Sequence, residues 1–248
     1  SIDSAACSVQ FDLATANGIP VISLDSGNEY KGIQCIVKTD NEDAARTGAY
    51  KLANEIGDEG QVILVVHDSN SETAKEREKS FEEEIKNNYP SVSIVETIYC
   101  DKLDDLKKKI AVEKDPNMSE DLQKAAVEKM TDDEVMQYYL KKYPDLKGVF
   151  GTNESSTIFA LEALQKTELA GKVALVGFDI SEGQTAAMKN GEISGLVVQN
   201  PFGMGYASVV AAARTVLQSG NEAVVDTGYI WVTKDNLEDE SIQNMLYK

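Results

Sequence analysis

The stretch VALVGFDISEGQ, Val173 to Gln184, decides the fold. Its mostly apolar start, Val173 to Gly177, reads as a strand buried on both faces. Asp179 stands where the strand stops, and Ser181 with Gln184 forms a capping-box pattern that starts a helix. A carboxylate therefore sits at the carboxyl end of a strand, just ahead of a helix. In open α/β sheets, small ligands bind in the crevice outside such strand ends. Two neighbouring segments repeat the arrangement. GVFGTNESS puts Asn153 after an apolar strand, and ISGLVVQNPF puts Gln199 after another. Taken singly, Asp179 and Asn153 also suit plain helix capping. Asn, Asp and Gln at three strand ends together suggest a polar cup for a hydroxyl-rich molecule.

The same rhythm runs outward from this stretch. A helix is expected from about Ala5 to Asn17, stopped by Gly18, and IPVISLD is a strand ending on Asp25. A turn over residues 27–31 leads to a strand from Gly32 to Val37. Thr39-Asp40-Asn41 caps a helix to about Ile56. QVILVV, Gln61 to Val66, is a strand, Ser71 caps a helix to about Asn88, and Val92 to Tyr99 alternates as a strand does. Residues 101–143 are charged and helical in pattern, broken at Pro116-Asn117 and restarted at Ser119 and at the Thr131/Glu134 capping box. They read as a solvated helical elaboration. After residue 200, Pro201 opens a helix to about Ser219. Val224 to Val232 is a last extended stretch, in which Trp231 suits packing, and Asp235 begins a short acidic tail. Strands alternating with helices indicate parallel sheets covered on both faces.

Composition bounds the function. The 248 residues are 42% hydrophobic and 27% charged, enough for one or two domains with a substantial core. No apolar run reaches the length of a membrane span. The formal net charge of -18 argues against nucleic acid or an anionic membrane as partner. Cys7, Cys35 and Cys100 are far apart and odd in number, so no disulfide or metal framework is visible. The single histidine, His67, has no second His or Cys near it in sequence, and no nucleophile-elbow motif is present. No metal, cofactor or enzymatic activity is expected.

Six segments carry a family resemblance. They are GIPVISLDSG (18–27), KTDNEDAARTGAYKLANEIG (38–57), KEREKSF (75–81), YPDLKGVFGTNESSTIFALEAL (143–164), VALVGFDISEGQTAAMKNGEISGLVVQNPFGMGY (173–206) and DTGYIWVTKDN (226–236). In order and spacing the chain resembles the periplasmic sugar-binding proteins of ABC-type transporters, the ribose- and galactose-binding group. Their type 1 fold is shared with the effector domains of lactose-repressor-type regulators. The resemblance implies two doubly wound α/β lobes joined by three hinge crossings, near Thr39-Asp40, Gln199-Asn200 and Asp226-Thr227. The first lobe would hold residues 1–39 and 200–226, the second 40–199 and 227–248. Asp25, Arg77, Asn153, Asp179 and Gln199 match the family's ligand contacts. Carboxylates accept hydroxyl hydrogen bonds with charge assistance, a guanidinium offers five donors, and amides donate and accept at once.

The resemblance further implies a monosaccharide or similar polyol as ligand, a membrane ABC-type permease as partner, a monomeric state and an extracytoplasmic location, periplasmic or as a cell-surface lipoprotein. The alternative it leaves is the effector domain of a transcription regulator. Departures are present. Glu154 follows Asn153 where the family usually has Asp, and Asp101-Lys102 stand where a stacking aromatic is often found, with Tyr99 close by. The family's first lobe also opens with further β-α units before the point matching Ser1. At about 30 residues per βαβ unit, roughly 80 residues would precede it. The expectation is a first lobe of two strands and two helices that is incomplete at its N-terminus and exposes an apolar sheet edge and face.

Overall fold

The computed structural model describes residues 7–27 and 30–243. The expected helix start at Ala5, the middle of the turn over 27–31 and the end of the tail lie outside them. The first half of the chain runs α1 (Ser8–Ala16), β1 (Val21–Leu24), β2 (Ile33–Lys38), α2 (Asn41–Glu55), β3 (Gly60–Val66), α3 (Glu72–Asn88) and β4 (Val92–Tyr99). Three helices follow, α4 (Leu103–Lys114), α5 (Glu120–Lys129) and α6 (Asp132–Lys142). Then come β5 (Leu146–Gly151), α7 (Glu154–Lys166), β6 (Ala174–Phe178), α8 (Glu182–Lys189), β7 (Gly195–Gln199) and α9 (Pro201–Val216). The chain closes with β8 (Val224–Asp226), β9 (Tyr229–Val232) and α10 (Glu240–Gln243).

Side-chain oxygens start these helices where the sequence places them. Asp40 accepts from Asp43 N at 2.9 Å, Ser71 caps α3, and Thr131 with Glu134 closes the capping box of α6. Ser119 precedes α5 as its N-cap, with no side-chain cap bond.

Two sheets result. The smaller is parallel and three-stranded, β1-β2-β8; the larger is six-stranded, β4-β3-β5-β6-β7-β9. The larger is parallel except for β9, which runs antiparallel to β7. The expected single stretch from Val224 to Val232 is therefore two strands in different sheets, divided at Thr227-Gly228. This division gives the smaller sheet a third strand beyond the two expected. Gly195 lets the pairing close, since a Cβ there would stand 2.1 Å from the Trp231 ring. The expected tail after Asp235 also contributes to the core, with Leu237 and Ile242 buried.

Three segments pass between the sheets and bind one another. Asp226 Oδ1 accepts from Asp40 N at 3.0 Å and from Gly228 N at 2.9 Å. Thr227 N donates to Lys38 O at 3.0 Å, and Asn200 Nδ2 donates to Thr227 O at 3.3 Å.

The sheets are unequal. Two clusters of buried apolar residues cover the two faces of the six-stranded sheet. Among the described residues, the cluster under the three-stranded sheet buries Cys35, Val37, Met204 and Ala211, with Ile22, Ala207 and Val225 partly buried against them. Among the described residues, the exposed large hydrophobics fall mainly on its elements, including Val9, Leu13, Leu24, Phe202, Tyr206 and Val224. Helices α4 to α6 form the elaboration: α4 and α6 bury Leu106, Ile110, Met136 and Tyr139, while α5 buries none of its residues.

One close approach sets the packing of α2. Phe150 stacks on Phe81 with centroids 4.3 Å apart and meets Phe178 edge-on at 6.0 Å. Gly48 of α2 lies against this ring, and a Cβ there would stand 2.4 Å from it. Helix propensity alone favours Gly48→Ala by about 1 kcal/mol. The wedged ring reverses the sign, and we expect a net loss of about 1–3 kcal/mol by urea denaturation. A stabilised variant would contradict this packing.

Candidate functional site

Two aspartates are presented by the same local construction. Asp25 follows β1 and Asp179 follows β6, both with left-handed backbone at φ 69° and 62°. A left-handed residue other than glycine costs roughly 1–2 kcal/mol, and aspartate is among the side chains that tolerate it. Each backbone N–H donates across to the neighbouring strand at 2.9 Å, Asp25 to Val37 O and Asp179 to Val197 O. The strand ladder thus continues one residue past the strand while the backbone turns away. Such strain concentrates where a side chain must be aimed.

Between the two sheets lies a cavity of about 200 Å³. Asp25, Pro201 and Met204 line it from the side of the three-stranded sheet; Glu154, Asp179, Ile180, Val198 and Gln199 line it from the other. Of the five residues singled out in the sequence, Asp25, Asp179 and Gln199 stand on its wall. Asp179 does not cap the helix that follows it, because Ser181 does so. Its Oδ1 instead accepts from Gln199 Nε2 at 2.7 Å, and its Oδ2 accepts from Glu154 N at 3.2 Å, at the start of α7. Asn153 is the N-cap of α7: its Oδ1 accepts from Ser156 N at 2.9 Å and from Ser155 Oγ at 3.0 Å.

Arg77 lies behind the wall, 3% exposed, with its guanidinium 4.1 Å from the Phe178 ring centroid. Its Nε donates to Asn41 Oδ1 at 2.9 Å and its Nη1 to Thr152 O at 2.6 Å. Burial pulls its pKa down, while Asp179, Asp25 and Glu76 pull it up. Burial raises the pKa of Asp25, the Arg77 charge lowers it, and Asp179 raises it. The side chain of Asp25 is open to solvent, yet protein surrounds its carboxyl closely enough for that shift. Carboxylates from both sheets therefore share the field of one guanidinium.

Other participants went unmarked in the sequence. In the sequence Glu154 stands out only as a departure from the family pattern, whereas in the structure it lines the cavity. Asn41 and Thr152 hold Arg77 but read as helix-start and strand-end residues, and nothing in their local sequence reveals a partner far along the chain. Tyr99 stands away from the cavity, with its hydroxyl on Glu78 and Lys102 over its ring. His67 sits beside the Arg77 network. Its Nδ1 is 2.7 Å from Thr152 Oγ1, and its Nε2 is 3.3 Å from Ser71 Oγ. Burial and then the Arg77 charge push its pKa down to about 4, so it is neutral at neutral pH.

Among the described residues, no group of three or more His, Cys, Asp or Glu is placed to hold a metal ion. A larger cavity, about 420 Å³, opens at the amino ends of β5, β6 and β7, lined by Glu55, Lys147, Lys172 and Glu192 among others. It lies at the wrong end of the sheet for the ligand crevice of such folds.

The model of the periplasmic binding protein domain family matches residues 1–221. The ribose import binding protein of Bacillus subtilis (strain 168) is 24% identical over 211 residues, 85% of this chain and 59% of that protein. Its counterpart from Haemophilus influenzae is 24% identical over 213 residues, 86% of this chain and 63% of that one. The chain thus spans about three-fifths of the length of these curated relatives. An ABC transporter solute-binding protein from Agrobacterium vitis, solved with α-D-tagatopyranose, superposes with a TM-score of 0.81. It is 23% identical, and the match covers 99% of this chain and 77% of that one. A carbohydrate transporter solute-binding protein from Agrobacterium radiobacter, in complex with D-arabinose, has a TM-score of 0.78 at 27% identity, covering 98% and 75%. A second protein from Agrobacterium vitis, solved with D-fucose, has a TM-score of 0.78 at 25% identity, covering 98% and 76%.

The depressed pKa of His67 links stability to pH. Its folded value of about 4 lies below the ordinary 6.5, so the unfolded chain binds the extra proton between those values. Stability is full above pH 6.5 and falls as the pH drops towards 4, by roughly 3 kcal/mol for this group. In His67→Gln, proton uptake on unfolding at pH 5 should fall by about one. Uptake equal to that of the parent would contradict the assignment.

Proposed function

The chain belongs to the periplasmic binding protein domain family, and on that premise we propose that it is a solute-binding protein for a monosaccharide or similar polyol. It takes the sugar between its two sheets and delivers it to an ABC-type membrane importer. The observation that carries this reading is the cavity between the sheets, where Asp25 from one and Asp179 from the other line a single space with Gln199.

The chemistry suits a sugar. Each carboxylate accepts hydroxyl hydrogen bonds that charge assistance makes stronger than neutral ones. Gln199 already orients Asp179, leaving its amide oxygen to accept a hydroxyl. Asn153 spends its oxygen on α7 and keeps its NH₂ group for a ligand. Arg77, fixed from behind, sets the field of the cavity and contributes its remaining N–H groups as the walls close. Ile180, Val198, Pro201 and Met204 supply apolar surface for the C–H faces of a ring.

The sheets serve as the cores of two lobes, residues 1–39 with 200–226 and residues 40–199 with 227–248. The three tied segments act as the hinge. A ligand bonded to both walls favours the closed form, as in other hinge-closing proteins. The protein captures and releases its ligand without transforming it, as a monomer outside the cytoplasm. Names of relatives and of solved structures that mention ribose, tagatose, arabinose and fucose support the ligand class.

Calorimetric titration with a panel of these sugars tests the reading. At least one should bind. Asp179→Ala should weaken it by about 10-fold to 150-fold, the loss of one or more charged hydrogen bonds worth about 1.5–3 kcal/mol each. Unfolding should remain cooperative in that variant. Unchanged affinity in Asp179→Ala would remove the residue from the site.

A further inference from the structure

Behind the cavity a chain of polar contacts runs from the smaller sheet to Arg77. Lys38 is the last residue of β2, in the three-stranded sheet. Glu76 lies on α3, which packs on β3 and β4 of the six-stranded sheet. Lys38 Nζ pairs with Glu76 Oε1, so the ion pair spans the two sheets, with side chains 18% and 20% exposed. The second oxygen, Glu76 Oε2, accepts from Asn41 Nδ2 at 2.9 Å. Asn41 Oδ1 accepts from Arg77 Nε at 2.9 Å, and Arg77 Nη1 donates to Thr152 O at 2.6 Å. Asn41 and Arg77 are both buried.

Chemistry leaves this chain one direction. A carboxylate only accepts and a guanidinium only donates, so the Asn41 amide must turn its NH₂ to Glu76 and its oxygen to Arg77. If Glu76 moves, the amide loses the partner that holds its orientation. Arg77 Nε then loses the acceptor that fixes the guanidinium plane. Within this relay, the step that passes from one sheet to the other is Lys38–Glu76. Lys38 and Asn41 also flank Thr39-Asp40, one of the three connecting segments, so a rotation there separates Lys38 from Glu76 directly.

We propose that Lys38, Glu76 and Asn41 are positioning residues for Arg77, and that approach of the two sheets sets the guanidinium through the Lys38–Glu76 contact. The site is then completed by closure rather than merely covered by it. The ligand-free protein samples both arrangements, and each time the sheets separate, Glu76 loses its cation and the Asn41 amide is less firmly held; without Lys38 the amide stays loosely held in both. A ligand that needs a fixed Arg77 then binds the closed form preferentially, and its affinity carries the cost of setting the relay. The ligand part of this proposal rests on the sugar-binding reading above; the Arg77 part does not. The competing account is an ordinary partly exposed ion pair of little consequence.

Two measurements on Lys38→Met and Lys38→Arg decide between them. The first is hydrogen exchange at Arg77 Nε–H by nuclear magnetic resonance on the ligand-free protein. The sequence has only two other arginines, Arg46 and Arg214, so the signal is assigned by their replacement with lysine. Exchange at Arg77 should accelerate about tenfold in Lys38→Met and return towards the parent rate in Lys38→Arg. The second is the affinity and dissociation rate of the tightest sugar of the panel. Lys38→Met should weaken it about tenfold, mainly through faster dissociation, with the melting temperature of the ligand-free protein unchanged. Unchanged Arg77 Nε–H exchange overturns the relay whatever the affinity does. Faster exchange with unchanged sugar affinity overturns its claim on the ligand. If the parent protein binds none of the sugars, the ligand reading fails while the exchange result still judges the relay.

Discussion

A guanidinium buried to 3% exposure is the constraint around which this protein is arranged. Removing such a charge from water costs several kcal/mol unless its surroundings compensate. Arg77 makes no direct ion pair among the described residues; its compensation is distributed. The Phe178 ring takes its face, Asn41 and the Thr152 carbonyl take two donors, and Asp25, Asp179 and Glu76 supply negative charge at longer range. His67 nearby must stay neutral for the same reason. The arrangement forces partners from both sheets to converge on one place, and that place borders the cavity.

The two walls of the cavity repeat one device. In each sheet a strand ends on a left-handed aspartate, and its N–H bonds to the valine carbonyl of the next strand, Val37 or Val197. Three residues after that valine comes the cap of a helix that crosses to the other sheet. Asp40 starts α2, which packs on β5, β6 and β7; Asn200 starts α9, which packs on β1 and β2. The chain therefore exchanges helices between its sheets, and the caps sit in the connecting segments themselves. The halves differ in how much they bury. The six-stranded sheet has a deep core on both faces, whereas the three-stranded sheet rests on a small cluster.

Much of this was legible in the sequence because strand and helix signals are local. VALVGFDISEGQ contains its strand, its strand-end acid and its helix cap within twelve residues, and the structure has all three. The extended stretch from Val224 to Val232 reads as one element because the β pattern says nothing about which sheet receives a strand, and the structure divides it between two. Gly228, with its positive φ of 72°, was the local sign of the break. At the site, the residues that end strands were recognisable. Lys38, Asn41, Glu76 and Thr152 were not, because their roles arise from contacts about 35 to 75 positions apart in sequence. Glu76 in particular is indistinguishable from its charged neighbours in KEREKSF until the fold brings Lys38 to it.

The central claim is that one ligand is held from both sheets at once, and a crystal structure of the protein with a bound monosaccharide tests it most directly. The account predicts sugar hydroxyls at about 2.5–3.0 Å from the carboxylates of both Asp25 and Asp179. A sugar bound at the opposite end of the larger sheet, near Lys147 and Lys172, or one touching Asp179 with Asp25 turned away, would contradict it.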